Sequence, residues 1–250
     1  MVTIKSKTEI EKMRRAGLVV YDTLSLIKES IRPGITTMEI NDIAEKYIRS
    51  CGATPTFKGY NGFPGSVCIS VNEVVIHGIP SGRKVAEGDI VSVDVGACVD
   101  GYQGDAARTF GVGKISSEAQ NLIDVTKQSF FEALAFMKEG YRVSDISAAV
   151  QNYVESYGYS VVREYCGHGI GQKLHEEPEI PNYVSKNRGI RLYAGMTIAV
   201  EPMINAGKCG IDIAQDGWTV TTKDKSLSAH YENTVLITKD EPQILTKGIK

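Results

Sequence analysis

The sequence predicts an α+β domain with a mainly antiparallel sheet, and three observations carry that prediction. Apolar residues recur at steps of three and four in runs that come as pairs, which is helical spacing. The stretches after each pair are rich in strand-forming residues and include Asp100-Gly101, a two-residue hairpin signal. The order helix, helix, strands then restarts. Helices grouped apart from hairpin-type strands belong to the α+β class.

The first helix is read from Met13, Gly17, Val20, Leu24, Ile27 and Ile31, with Thr8-x-x-Glu11 as its capping box and Pro33-Gly34 as its stop. Thr36-x-x-Glu39 opens a second helix, with Ile40, Ile43, Ala44 and Tyr47 on one face and a stop near Gly52. Strand-rich segments run from about Ser66 to His77 and from Ile90 to Phe110. Ile31 to Gly52 then lies over Met137 to Gly158 at a constant offset of 106, matching Gly34 with Gly140, Ile40 with Ile146, Tyr47 with Tyr153, Ser50 with Ser156 and Gly52 with Gly158. Solenoid repeats run about 20 to 50 residues, so a period this long indicates duplication of a half-domain. A single domain over 1-250 is expected, with half-domains of roughly 1-115 and 116-250. After the second helix pair come Val161-Val162, a glycine-rich loop from Cys166 to Pro178, and strands near Met196 to Met203, Trp218 to Thr222 and His230 to Thr238.

A chain of 250 residues buries enough apolar surface to fold without disulfides or structural metals, so a metal here would serve chemistry. The formal net charge of -2 gives no basic excess, which argues against nucleic acid or an anionic membrane as partner. Five cysteines, an odd number without C-x-x-C spacing, read as reduced thiols of a cytoplasmic protein. The N-terminus has no apolar signal core, and no stretch of about 18 apolar residues occurs. Neither export nor a membrane span is expected.

If Asp100-Gly101 is the turn, Val99 faces Tyr102, Gly96 faces Asp105 and Asp94 faces Ala107. Asp94 and Asp105 then lie diagonally on one face, within reach of a shared ion, with Gly96 leaving open space beside Asp105. Converging strand carboxylates repel and lose hydration, and a divalent cation is the usual remedy. The pair alone is equally compatible with two carboxylates facing water. Two of the four histidines, His168 and His175, share the glycine-rich loop, where glycine lets backbone approach a ligand closely. They lack H-E-x-x-H spacing, and a lone histidine is more often structural. Glu201 and Glu232 punctuate apolar strands, where a carboxylate is a poor packing choice. Carboxylates with one imidazole suit two hard or borderline divalent ions, such as Mn, Fe(II), Co or Zn. Shared carboxylates bridge ions about 3.5 to 4 Å apart, which lower the pKa of water and clamp a tetrahedral intermediate.

Six motifs in combination now resemble a known family. They are Ser70-Val-Asn-Glu-Val-Val-Ile-His77-Gly-Ile-Pro80, Asp94-Val-Gly96, Gly104-Asp105-Ala-Ala, Gly167-His168-Gly-Ile-Gly171 with His175-Glu-Glu-Pro178, Ile198-Ala-Val-Glu201-Pro-Met203, and Tyr231-Glu232-Asn-Thr234. The chain resembles, over nearly its whole length, the bacterial type I methionine aminopeptidases, metallopeptidases of the pita-bread fold. That resemblance implies pseudo-twofold half-domains around a central antiparallel sheet covered by helices. It implies that Asp94 chelates one ion, His168 and Glu201 bind the other, and Asp105 and Glu232 bridge both. His77 is implied to contact substrate and His175 the scissile carbonyl, while Tyr60, Phe63, Cys68 and Trp218 help line the methionine pocket. The implied reaction removes the initiator methionine from nascent proteins when the second residue is small and uncharged. A metal-bridging hydroxide attacks the first peptide bond and Glu201 shuttles the proton. The implied partners are peptide and nascent-protein N-termini with a transient ribosome contact, for a monomer without nucleic-acid specificity. Phe63 and Leu174 depart from residues common in the family's pocket. The short segment between His175 and Glu201 marks type I, and no N-terminal extension precedes the first helix.

Two other functions compete. Aminopeptidase P and prolidase use a similar catalytic domain, but they generally carry an extra N-terminal domain. Some pita-bread proteins have lost their metal ligands and act as binding modules, against which the retained ligands, His77 and His175 argue.

Overall fold

The computed structural model describes residues 2–248. Helix α1 (Lys7–Ser30) is capped by Ser6 rather than Thr8: Ser6 Oγ accepts from Glu9 N, and the Glu9 carboxylate accepts from Ser6 N at 2.7 Å. Both frames fit the capping pattern, and a long-range contact selects the earlier one. The Tyr102 hydroxyl donates to Glu9 Oε1 at 2.7 Å, whereas Glu11 only meets Arg14 at the surface. Helix α2 (Thr37–Ser50) starts as the sequence predicts, with Thr36 and Glu39 satisfying each other's backbone N–H groups. Strands β1 (Thr54–Pro55), β2 (Cys68–Val71), β3 (Val74–Ile76), β4 (Ile90–Val99) and β5 (Tyr102–Gly111) follow.

Helices α3 (Ser117–Leu134) and α4 (Val143–Ser156) repeat the helix pair. The bounds of α4 stand 106 residues beyond those of α2, and the matched residues behave alike. Gly34 and Gly140 have φ of 91° and 95°, and Gly52 and Gly158 have 71° and 80°, a region that favours glycine. Ser50 and Ser156 each donate to the carbonyl three residues back at 2.7 Å. The remaining strands are β6 (Ser160–Val161), β7 (Gly167–Gly169), β8 (Glu176–Ile180), β9 (Thr197–Val200), β10 (Met203–Asn205), β11 (Ile211–Ile213), β12 (Val220–Thr222), β13 (Ser228–His230), β14 (Asn233–Leu236) and β15 (Gln243–Ile244).

Every ladder between these strands is antiparallel, in four sheets: β1-β4-β2 with β5 beside β4, β13-β10-β6, β11-β12-β3, and β15-β14-β9-β7-β8. Val20, Leu24 and Ile40 pack on Val93 and Ala106 in one core, and Phe130 and Ile146 share the other with Ile198 and Val235. Burying each such aliphatic side chain stabilises by about 1.5–3 kcal/mol relative to exposure, which drives the helices onto their sheets. A third cluster, with Met13, Phe57, Phe63, Cys68, Leu174 and Leu236, combines residues from the first helix, the first sheet and the last sheet.

The two sheets meet where β5 runs beside β14. Asp105 N donates to Thr234 Oγ1 at 3.0 Å, Thr234 Oγ1 donates back to Asp105 O at 2.9 Å, and Glu232 N donates to Ala107 O at 3.0 Å. These bonds satisfy buried backbone polar groups, and they bring carboxylates of both halves to one place.

Candidate metal centre and active site

The hairpin register is the one the Asp100-Gly101 turn predicts: Val99 pairs with Tyr102, Gly96 with Asp105 and Asp94 with Ala107. Both turn residues have positive φ, 48° and 78°, as a two-residue type I′ turn requires. The space beside Asp105 is not open, however. A Cβ on Gly96 would lie 2.7 Å from a Phe57 ring carbon and 2.9 Å from Thr56 Cβ. Glycine is needed there because the segment before the Tyr60–Gly62 turn packs onto the hairpin, a long-range contact with no local signal.

His168 belongs to strand β7 rather than to a loop, and its flanking glycines serve close backbone packing. A Cβ at Gly167 would lie 2.3 Å from Ala199 O, and one at Gly169 would lie 2.2 Å from Glu177 O. His168 pairs with Ala199 on β9, which carries Glu201 just beyond its end. His168 Nδ1 is 2.9 Å from Gly169 O; a proton held there leaves Nε2 as a bare lone pair. That Nε2 faces Glu201 Oε1 at 3.7 Å. Asn182 Nδ2 donates to Glu201 O at 2.9 Å. Arg108 pins the Glu232 segment, donating to Glu232 O and to Asn233 Oδ1 and lying 4.2 Å over the Tyr231 ring.

All eleven residues singled out in the sequence line one cavity of about 210 Å³, with Phe57, Asn61 and Leu174 completing its wall. Asp105, His168 and Glu232 form one group whose ligand atoms lie within 4.8 Å of one another, and Glu201, His230 and Glu232 form another. Asp94 stands outside both groups, diagonal to Asp105 on the same hairpin and lining the same cavity. Sequence reasoning missed Phe57, Asn61 and His230. The last had a signal, because His230 and Glu232 are two apart and strand period places both on one face.

Electrostatics mark this cavity out. Burial pushes Asp94 up to about 7, and burial with repulsion from neighbouring carboxylates drives Asp105 and Glu232 well above the usual range. Glu201 rises likewise, from burial and from Asp94. Burial also lowers His77 and His168 to about 4 and His230 to about 3, so these rings are neutral near pH 7. Buried Asp94 Oδ1, Asp105 Oδ1, Glu232 Oε1 and His230 Nε2 have no hydrogen-bond partner. Orphaned oxygens on crowded carboxylates fit a divalent cation, which satisfies both the lone pairs and the charge.

The rest of the wall is apolar with two histidine donors. Phe63 and Trp218 meet edge to face at 5.2 Å between centroids, and buried Cys68 sits opposite Asp94 in the β2–β4 ladder. His175 Nδ1 bonds the Tyr60 hydroxyl at 2.8 Å, and its ring lies edge-on to His168 at 4.4 Å. His77 has φ of 58° and meets Tyr165 and Trp218 edge to face. A non-glycine residue in that region is strained, and such strain clusters at functional positions.

A fold with buried carboxylates and imidazoles lining an apolar cleft defines a metal-dependent hydrolase. Residues 11–239 match the metallopeptidase family M24, and the chain belongs to that family. Within it the resemblance is to enzymes named methionine aminopeptidase. That of Clostridium perfringens is 53% identical over 246 residues, covering 98% of this chain and 99% of the relative. The crystal structure of methionine aminopeptidase from Rickettsia prowazekii superposes with a TM-score of 0.97 at 42% identity, covering 99% and 100% of the two chains. The fold is therefore the pita-bread fold of these enzymes. A prolidase from Pyrococcus furiosus shares it, with a TM-score of 0.80 at 24% identity, and this chain covers 66% of that longer one. Among the described residues no helix is long and apolar enough to cross a membrane.

Proposed function

We propose that the chain removes N-terminal methionine from peptides and nascent proteins whose second residue is small and uncharged, using two divalent ions. The observation that carries this reading is the convergence of four carboxylates and His168 on one cavity, beside an apolar pocket lined by Phe63, Cys68 and Trp218. In this reading His168 and Glu201 would hold one ion and Asp94 the other, with Asp105 and Glu232 available to both. Mn, Fe(II), Co and Zn all suit such donors. Ions held there would acidify water and polarise the scissile carbonyl.

The chain's own groups supply the rest. Phe63, Trp218 and Cys68 take the methionine side chain, and the 210 Å³ cavity limits what can follow it. A Tyr60 hydroxyl donating to His175 Nδ1 keeps the proton on Nε2, from which it can be donated to the substrate carbonyl oxygen as that oxygen gains charge. His77, kept neutral by burial, offers a second donor to the substrate. Glu201 is the group to take a proton and pass it to the leaving amine. The formal charge of -2, with no basic excess, supports N-termini rather than nucleic acid as the partner; in this reading the protein is a cytoplasmic monomer that meets the ribosome only transiently, as the family resemblance implies.

The test is release of free methionine from a Met-Ala-Ser peptide by metal-stripped protein reloaded with each ion in turn. Release that needs an added ion, and that fails with Met-Lys, is expected. Release of any first residue from Xaa-Pro peptides would assign the site to proline-specific peptidases instead.

A further inference from the structure

We propose that His230 is a positioning residue of the metal centre: its Nε2–H donates to the Glu201 oxygen that faces away from His168, and so decides which Glu201 oxygen is offered to an ion. This inference rests on the two-ion reading above. Glu201 stands between two imidazoles, with Oε1 3.7 Å from His168 Nε2 and Oε2 3.7 Å from His230 Nε2. The two rings are chemically different. His168 has a carbonyl partner for Nδ1, which frees Nε2 as a lone pair. His230 Nε2 is buried without any partner and also lies 3.9 Å from Glu232 Oε2. A lone pair aimed at two carboxylate oxygens is repulsive, whereas an N–H aimed at them is satisfied by whichever closes first.

The main chain that carries His230 is held in place and its ring is enclosed, out of reach of solvent. The residue is 2 % exposed, pairs with Met203 across β10, and has its backbone N–H and carbonyl both bonded to Thr109 Oγ1 at 2.9 Å. Closing the Glu201 contact needs a movement of roughly 0.5 Å to reach hydrogen-bond distance. Glu201 lies just beyond the end of strand β9, so its side chain is the partner able to move. Charge argues against a further ion held by His230 in addition to the two. Four carboxylates already neutralise two divalent ions, and a third ion held by His230, Glu201 and Glu232 would leave excess positive charge in a buried cavity.

The experiment compares the wild-type protein with His230→Phe and His230→Gln, reading metal binding by calorimetry and the ligand shell of the cobalt-loaded protein by X-ray absorption. Glutamine keeps an N–H donor at similar reach and phenylalanine keeps the ring without one. The expected result is one imidazole per bound pair of ions in wild type and in His230→Phe. Affinity for one ion should fall about 10–100-fold in His230→Phe, as for other partners that orient a ligand, and recover most of that loss in His230→Gln. Two imidazoles in wild type falling to one in His230→Phe would overturn the proposal, because His230 would be a ligand. Equal affinity in all three proteins, or equal loss in both variants, would overturn it too. A wild-type stoichiometry below two ions would count against the two-ion reading, and the ratio between His230→Phe and His230→Gln would still judge His230.

Discussion

The two halves of this site are built by different means. Asp94 and Asp105 sit on one hairpin whose ten residue pairs are fixed in register by the Asp100-Gly101 turn. His168, Glu201 and Glu232 come from β7, the end of β9 and the segment before β14, which pair across more than sixty residues of sequence from His168 to Glu232. Local geometry places the first pair, and long-range sheet order places the second group. Damage to the hairpin should therefore be tolerated better than damage to the β7–β9–β14 arrangement, unless it touches a carboxylate that both halves share.

The largest effect is expected at such a shared group. Asp105 is 3 % exposed and belongs to the group with His168 and Glu232, although it comes from the hairpin. Asp105→Asn should abolish tight binding of at least one ion and reduce turnover far more than a pocket change such as Phe63→Leu. Metal titration followed by calorimetry checks it, and equal mild effects would show that Asp105 holds no ion.

The histidine pair separates ligand from donor. His175→Ala should keep its ions and near-normal KM while kcat falls about 10² to 10³, roughly 2.7–4 kcal/mol for losing one donor to a developing oxyanion. His168→Ala should lose metal affinity instead, and excess ion should restore part of its activity. Rescue of His175→Ala by added ion would reverse the two roles.

The long-range half can be broken without touching a functional side chain. Gly167→Ala puts a methyl group 2.3 Å from Ala199 O, so β7 must separate from β9 and carry His168 away from Glu201. Metal affinity should drop along with stability, measured by ion titration and thermal melting of one preparation.

The pH dependence of the metal-free protein reports on both halves together. The carboxylates are raised in the folded state, Asp94 from 3.8 to about 7. Their contribution is present below the unfolded value and is lost as pH rises through the folded one. The histidines are depressed from 6.5, His168 to about 4 and His230 to about 3. Their contribution is present above 6.5 and is lost as pH falls. Above about pH 7 the histidines are mostly neutral in both states while the raised carboxylates still ionise in the folded one, so the melting temperature of metal-free protein should fall from pH 7 to about pH 8, below the range in which the cysteine thiols titrate. Divalent ions should remove that fall; a flat profile without them would mean the carboxylates are not crowded as described.

What the sequence made legible follows the same division. The hairpin register, the Thr36 cap and the matched helices α2 and α4 were readable because each depends on residues close in sequence. The Ser6 cap was not, since only Tyr102, far along the chain, distinguishes Glu9 from Glu11. Nor was the filling of the Gly96 space by Phe57, or the strand character of His168, because both depend on segments brought together by tertiary packing. Most of the site's chemistry was legible through motif resemblance. His230 escaped because no motif named it, although strand period with Glu232 could have.

The smallest effect is expected at the turn itself. Gly101 has φ of 78° and nothing within 4 Å of where a Cβ would lie, so Gly101→Ala adds strain but no clash. A non-glycine residue in the left-handed region costs about 1–2 kcal/mol, and each kcal/mol lowers the melting temperature by about 2–4 °C in a chain of this size. The loss should stay in the turn. Gly96 opposite Asp105 is still held by the pairs around it, by β1 and β2 on the far side of β4, and by Thr234 beneath Asp105. Gly101→Ala should therefore melt a few degrees lower while its ion affinity, kcat and KM match wild type. Metal binding that weakens in step with stability would show that the turn sets the Asp94–Asp105 geometry in the folded protein as well as the register during folding, and the contrast between the two halves would fail.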